Sequence, residues 1–187
     1  MKNNLLNLFL CFSAFVSFSS ICLAQDNAIQ ISKKWLGNWE GNMLIYKGDS
    51  IPTEIKTALH IKETDNPSRW EWTVVYGEGD KKQNRQYELV AINPTKGQYQ
   101  IDEKNSIVLD AFYANNTFIS HFEVAGNIII STYRLDKLQI RFQNIVAKSE
   151  LLQVSGGAEN SPEVLSQKVV SLQTAVLSKI ERQARNK

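Results

Sequence analysis

Between Trp35 and about Ala147, apolar and polar residues alternate in short runs, each closed by turn-forming residues, and this period of two predicts β-strands. Nine runs are legible, at 39–47, 54–63, 69–76, 84–92, 97–102, 106–113, 117–124, 127–135 and 138–146. Lys47-Gly48-Asp49, Asp65-Asn66-Pro67, Asn93-Pro94, Asn115-Asn116, Gly126-Asn127 and Asp136-Lys137 supply the tight turns between them. The connections are short, so neighbours in sequence should pair antiparallel as hairpins. No βαβ alternation, internal repeat or low-complexity tract interrupts the pattern.

The period changes after the loop at 153–160. Ser161-Pro162-Glu163 offers an N-cap, a proline for the first helical position and an early acid, and Leu165, Val169, Leu172, Val176 and Ile180 recur at helical spacing. This predicts a C-terminal amphipathic α-helix with a basic tail over 153–187, packed on the sheet or free to make a dimer or a membrane-surface contact. A meander of this many strands must deal with its edges, and the simplest solution is closure. The expected architecture is all-β: an up-and-down antiparallel β-barrel of eight to ten strands over 25–152, followed by that helix.

Ahead of the barrel, Met1-Lys2, the apolar stretch LLNLFLCFSAFVSF and Cys22-Leu23-Ala24 have the three parts of a secretory signal, with cleavage expected after Ala24. An uncleaved anchor is disfavoured by Asn7, by the serines and by the lack of a basic stop-transfer cluster; acylation of Cys22 is disfavoured by Ile21 directly before it. The protein is therefore expected to be exported, to the periplasm or beyond, with no transmembrane segment in the mature chain. Cys11 and Cys22 both fall within 1–24, so the domain is expected to be free of cysteine, disulfides and thiol chemistry. Composition adds little else: 43% hydrophobic and 21% charged residues suit a soluble domain, and a net charge of +2 is too small to point to nucleic acid.

The segment Trp35-Leu36-Gly37-Asn38-Trp39-Glu40-Gly41 carries Gly-x-Trp at the start of the first run. In that setting it resembles the opening of the lipocalin and wider calycin group. The resemblance implies that Gly37 allows a tight turn into the first strand and that Trp39 closes one end of the barrel. It also implies that an arginine on a late strand packs across the tryptophan, Arg141 first and Arg134 second. The second lipocalin signature, Thr-Asp-x-x-Tyr, is absent, since Thr64-Asp65 is followed by Asn66-Pro67. A lipocalin-like barrel is implied rather than an eight-stranded lipocalin proper.

Alternation sorts side chains onto two faces. Trp70, Trp72, Val74 and Tyr76 share one face, which suits either a stacked core or the wall of a pocket for a flat or apolar ligand. Arg85 and Tyr87 share a face with Leu89 and Ala91, and could hold a carboxylate if they point inward or form a rim pair if they do not. Arg134, on a face with Ile128, Ile130 and Thr132, is a second basic candidate. Asp102, Glu103 and Asp110 read as turn residues or as an acidic mouth, without the calcium-loop pattern. His60 falls on an outward face; His121 keeps open a haem-binding barrel with a late-strand histidine as iron ligand. Neither histidine has a second ligand at zinc spacing, and no other cofactor is expected.

Nucleophile-elbow, phosphate-loop and paired-histidine motifs are absent, so no catalysis is expected. The expected function is an exported carrier that binds a small apolar or amphipathic molecule, anionic if both arginines turn inward. Trp72, Tyr76, Leu89 and Phe122 would bury it, and Arg85, Tyr87 or Arg134 would orient its polar head. The alternative is an interaction protein with a filled barrel.

Overall fold

The computed structural model describes residues 31–158 and 160–180. The expected signal segment lies outside them. A short 3-10 turn, Lys33–Trp35, precedes ten strands: β1 (Gly37–Tyr46), β2 (Thr53–Glu63), β3 (Arg69–Tyr76), β4 (Gln83–Asn93), β5 (Gln98–Asp102), β6 (Val108–Ala114), β7 (Thr117–Val124), β8 (Asn127–Asp136), β9 (Gln139–Ser155) and β10 (Val164–Ile180). Each strand pairs antiparallel with its neighbours in sequence, and β10 closes the ring against β1. Turn chemistry explains the tightest corners: Asn115, Asn116, Ala125, Gly126 and Lys137 all take positive φ.

The expected C-terminal helix is not there, and a dimer surface on it falls with it. The segment is β10, which pairs with β9 from Val164↔Ser155 to Ser178↔Gln139 and with β1 from Asn38↔Ile180 to Tyr46↔Leu172. The helically spaced residues Leu165, Val169, Val176 and Ile180 are exposed, whereas Ser171, Ala175 and Leu177, an even number of residues apart, are buried. Val169, Val170, Thr174, Val176 and Ile180 are β-branched and favour a pleated strand. Parity gives the deeper reason. In an up-and-down meander, a ninth strand runs parallel to the first, so antiparallel closure calls for a tenth.

The core fills the end of the barrel where β1 begins. Trp35, Trp39, Leu59, Ile61, Trp70, Leu89, Tyr99, Ile140 and Leu177 are buried there, and Ile31 and the 3-10 turn plug the end. Ser32 Oγ caps the turn by accepting from the Lys34 N–H at 3.3 Å. Trp39 Nε1 donates to the Trp35 carbonyl at 2.8 Å, tying the first strand to the plug. Trp35 continues inward against Phe118 at 5.1 Å between ring centroids and Trp72 at 6.0 Å. Among the described residues, no helix is long and apolar enough to cross a membrane.

At the opposite end, β9 and β10 outrun the barrel. β9 pairs with β8 no further than Lys148, and β10 pairs with β1 no further than Leu172. Beyond those positions the two strands pair only with each other, with register shifts between Ser166 and Ser171. Leu151, Leu152, Val154, Val164, Leu165 and Val169 on this ribbon are exposed.

Candidate functional site

A cavity of about 160 Å³ lies inside the barrel on the side of Trp72 away from the plug. Its walls are aromatic and aliphatic: Trp72, Phe118, Phe122, Tyr133, Phe142, Ile101 and Leu109. The strand pattern places them, because Trp72 pairs with Tyr87 and Tyr133 with both Phe118 and Phe142, so all five side chains fall on the inner face. Tyr133 stands edge-on to Trp72 at 5.2 Å and tilted against Phe142 at 4.8 Å. The Trp72 indole N–H donates to the Tyr133 phenol.

Polar groups interrupt this wall at a few points. Ser120, Ser131, Asn144 and Glu103 line the cavity together with the phenols of Tyr76 and Tyr87. Asn144 Nδ2 donates to Gln173 Oε1 at 3.3 Å, and Asn144 Oδ1, buried, has no partner among the described residues. Burial is the main force on the phenols. It pushes Tyr76 up to about 12, with Tyr87 and Glu103 adding to the rise and Arg85 opposing it. Burial also raises Tyr87, and raises Tyr133 well above the ordinary phenol range. The three hydroxyls therefore stay protonated and available as donors at neutral pH.

Tyr76 also lines a second, wider cleft at the open end, about 580 Å³, with Met43, Ile45, Ile55 and Gln173. Tyr76 and the Asn144–Gln173 amide pair thus separate the inner cavity from a vestibule. Lys81, Glu78 and Gln83 belong to the vestibule rim.

The residues singled out from sequence are distributed unevenly. Trp72, Tyr76, Tyr87 and Phe122 line the cavity. Leu89 is fully buried beside Trp70, deeper in the core. Arg85 is on the inner face, paired with Val74, but exposed at the rim. Arg134 is exposed on the outer face, since its neighbours in β8, Tyr133 and Leu135, are the inward residues, so it orients nothing inside. Arg141 is likewise exposed and outward, 3.7 Å from Asp136, and does not cross Trp39. Lys179 does: its Nζ lies 5.1 Å from the Trp39 ring centroid, one strand over on β10. Gly37, with φ +128°, makes room for that lysine, since a Cβ there would come within 2.8 Å of Lys179 Cε.

His121 is on the outer face, in a shallow cleft with Ile92, Phe112 and Ile119, so it cannot serve as an iron ligand inside the barrel. His60, also outward, hydrogen-bonds Asn38 Oδ1 through Nδ1 at 2.8 Å, and burial lowers its basicity. The acidic trio divides. Glu103 lines the cavity, Asp102 lies 3.8 Å from Arg69, and Asp110 accepts from Gln100 at 3.0 Å on the outside. Among the described residues, no group of three or more His, Cys, Asp or Glu is placed to hold a metal ion.

Sequence reasoning missed the aliphatic wall of Ile101, Leu109 and Ala111, the aromatic Phe118, Tyr133 and Phe142, and the polar Ser120, Ser131 and Asn144. The signal for Tyr133 was its two-residue spacing from the buried Leu135, hidden by the unbroken Ile128-Ile129-Ile130. Serine and asparagine in a strand are ordinarily solvent-facing, and nothing local distinguishes these three.

No family model matches the chain, and no curated protein matches it. Solved structures do. The S-type phycobiliprotein lyase CPES from Guillardia theta is 8% identical, with a TM-score of 0.55 over 81% of this chain and 91% of its own. A protein of unknown function of the DUF3598 family from Nostoc punctiforme is 12% identical, with a TM-score of 0.54 over 79% of this chain. This chain spans about half of that protein, 48% of its length. These likenesses are of fold. They overturn one expectation: lack of a sequence motif does not make such a barrel non-catalytic, because a lyase is built on it. At the level of fold, the chain is a closed ten-stranded antiparallel barrel, similar in fold to these two proteins.

Proposed function

We propose that the chain is an exported barrel that holds a small apolar or amphipathic molecule in the cavity above Trp72. The observation that carries this reading is a partly aromatic cavity in a barrel whose other half is solidly packed. A filled barrel would have continued the packing of Trp35, Trp39 and Trp70 to the open end. Instead Ser120, Ser131 and Asn144 occupy inner positions where a closed core would place aliphatic side chains. Burial of apolar ligand surface against Trp72, Phe118, Tyr133 and Phe142 supplies the affinity, and the vestibule past Tyr76 takes the more polar end, within reach of Arg85 at the rim. Export is supported by the apolar N-terminal stretch closing in Cys22-Leu23-Ala24 and by a domain without cysteine.

Native mass spectrometry of the protein from its own exported fraction tests the reading. A bound small molecule should be recovered with the natural protein and lost from Ser131→Leu, which fills the cavity. A wild-type protein that carries and binds no small molecule, even when offered an aromatic library, would exclude it.

A further inference from the structure

Resting on that reading, we infer that the cavity selects a one- or two-ring aromatic molecule bearing an N–H or O–H donor, which it directs to Asn144 Oδ1. Size sets the first half of the inference. A cavity of about 160 Å³ matches apolar protein cavities of about 150 Å³ that hold a single benzene ring, and leaves no room for a long chain or an extended polycyclic system within the inner chamber. The lining sets the shape. Trp72, Phe118, Tyr133 and Phe142 present ring faces and edges at centroid separations of 4.8–5.7 Å from one another, which favours a further ring over an aliphatic chain.

The polar inventory sets the second half. Asn144 has one carboxamide, and its NH₂ group is engaged by Gln173, leaving a buried carbonyl oxygen that can only accept. A buried acceptor without a partner is costly, and a ligand donor at that point recovers the cost. Of the remaining lining polar groups, the Tyr133 oxygen already accepts from Trp72, and the Tyr76 phenol stands toward the mouth where β3 ends. The Ser120, Ser131 and Tyr87 hydroxyls can donate as well as accept, so Asn144 Oδ1 is the buried lining atom that calls for a donor. Glu103 at the same mouth disfavours a carboxylate in the inner chamber. The preferred ligand is thus neutral where it is buried, aromatic, and a hydrogen-bond donor.

Two matched probes test this by calorimetric titration of the full exported protein: indole, which has the donor, and benzofuran, of nearly the same shape without it. Indole should bind about tenfold more tightly, the usual worth of one buried hydrogen bond with a neutral acceptor. Asn144→Leu should abolish the preference by weakening indole while leaving benzofuran unchanged or improved, and Asn144→Asp, which keeps an acceptor, should preserve it. Equal binding of both probes to the natural protein would overturn the donor inference and leave the cavity reading standing. Failure of both to bind would overturn the aromatic-donor inference, and native mass spectrometry with the ligand library then decides the cavity reading separately. The wild-type comparison decides the matter even if a variant does not fold.

Discussion

Lys179 and Trp39 face each other across the β1–β10 seam, with the ammonium 5.1 Å from the centre of the indole and 3.4 Å from the Lys34 carbonyl it donates to. One side chain therefore joins the last strand, the first strand and the plug. Lys179→Met should lower stability by about 0.5–1 kcal/mol, the range for a partly exposed cation over an aromatic face. Arg141→Ala, which removes only an exposed side chain near Asp136, should change stability by less than about 0.5 kcal/mol. Urea unfolding of the two variants side by side checks the assignment; a larger loss for Arg141→Ala would reverse it.

Gly37 should tolerate no side chain. Its φ of +128° lies outside the range available to other residues, and an added Cβ meets Lys179 Cε at 2.8 Å. Gly37→Ala is expected to cost about 1–3 kcal/mol. Combining it with Lys179→Ala relieves the clash but not the backbone strain. Thermal unfolding should find the double variant no more stable than Gly37→Ala alone, because relief of a contact with a mobile side-chain end is offset by the lost Lys179–Trp39 contact.

How far these features could be read in advance differs from strand to strand. The run at 69–76 and that at 117–124 match β3 and β7 residue for residue, because turn residues close both ends. Face assignment failed in β8, where three consecutive isoleucines remove the contrast on which alternation depends, and with it went the placement of Arg134 and Tyr133. β10 was lost because its outer residues are apolar as well as its inner ones, and a strand that is apolar on both faces can mimic helical spacing. Of the cavity lining, Trp72, Tyr76, Tyr87 and Phe122 were legible as aromatic residues. The inner serines and Asn144 were not, since their burial is a property of the closed barrel and not of their neighbours in sequence.

Alkaline pH should expose the buried phenols. Tyr76 is raised to about 12 in the folded chain, from an ordinary value of about 10 in the unfolded one. A raised folded value means that the stability is fully present below pH 10 and is lost as pH climbs through 12. The full two-unit shift corresponds to about 3 kcal/mol, with Tyr133 and Tyr87 shifting in the same direction. Denaturant midpoints measured from pH 8 to 11.5 should stay level and then fall beyond 10. Tyr76→Phe should flatten the fall; an unchanged slope would remove Tyr76 from the account.

The ribbon beyond Lys148 and Leu172 should behave apart from the barrel. Two strands alone are marginal in water, and here they lack flanking partners and carry register shifts. Hydrogen exchange at 151–154 and 164–167 should be many times faster than at 140–146, although all belong to the same two strands. Replacing 150–167 by a two-residue turn should leave barrel stability within about 1 kcal/mol, as read by urea unfolding.

Closure by β10 against β1 also orders events in time. Every other ladder joins strands adjacent in the chain and can form as a local hairpin, but the seam brings Asn38 to Ile180 and Tyr46 to Leu172, across most of the described chain. That pairing is the slow, entropically expensive step, and it cannot begin until the last strand has left the ribosome. Up to that moment the barrel is an open sheet with two free edges, each a row of unpaired backbone groups able to take up another strand. The joint that completes the fold is thus also the one that removes both edges at once.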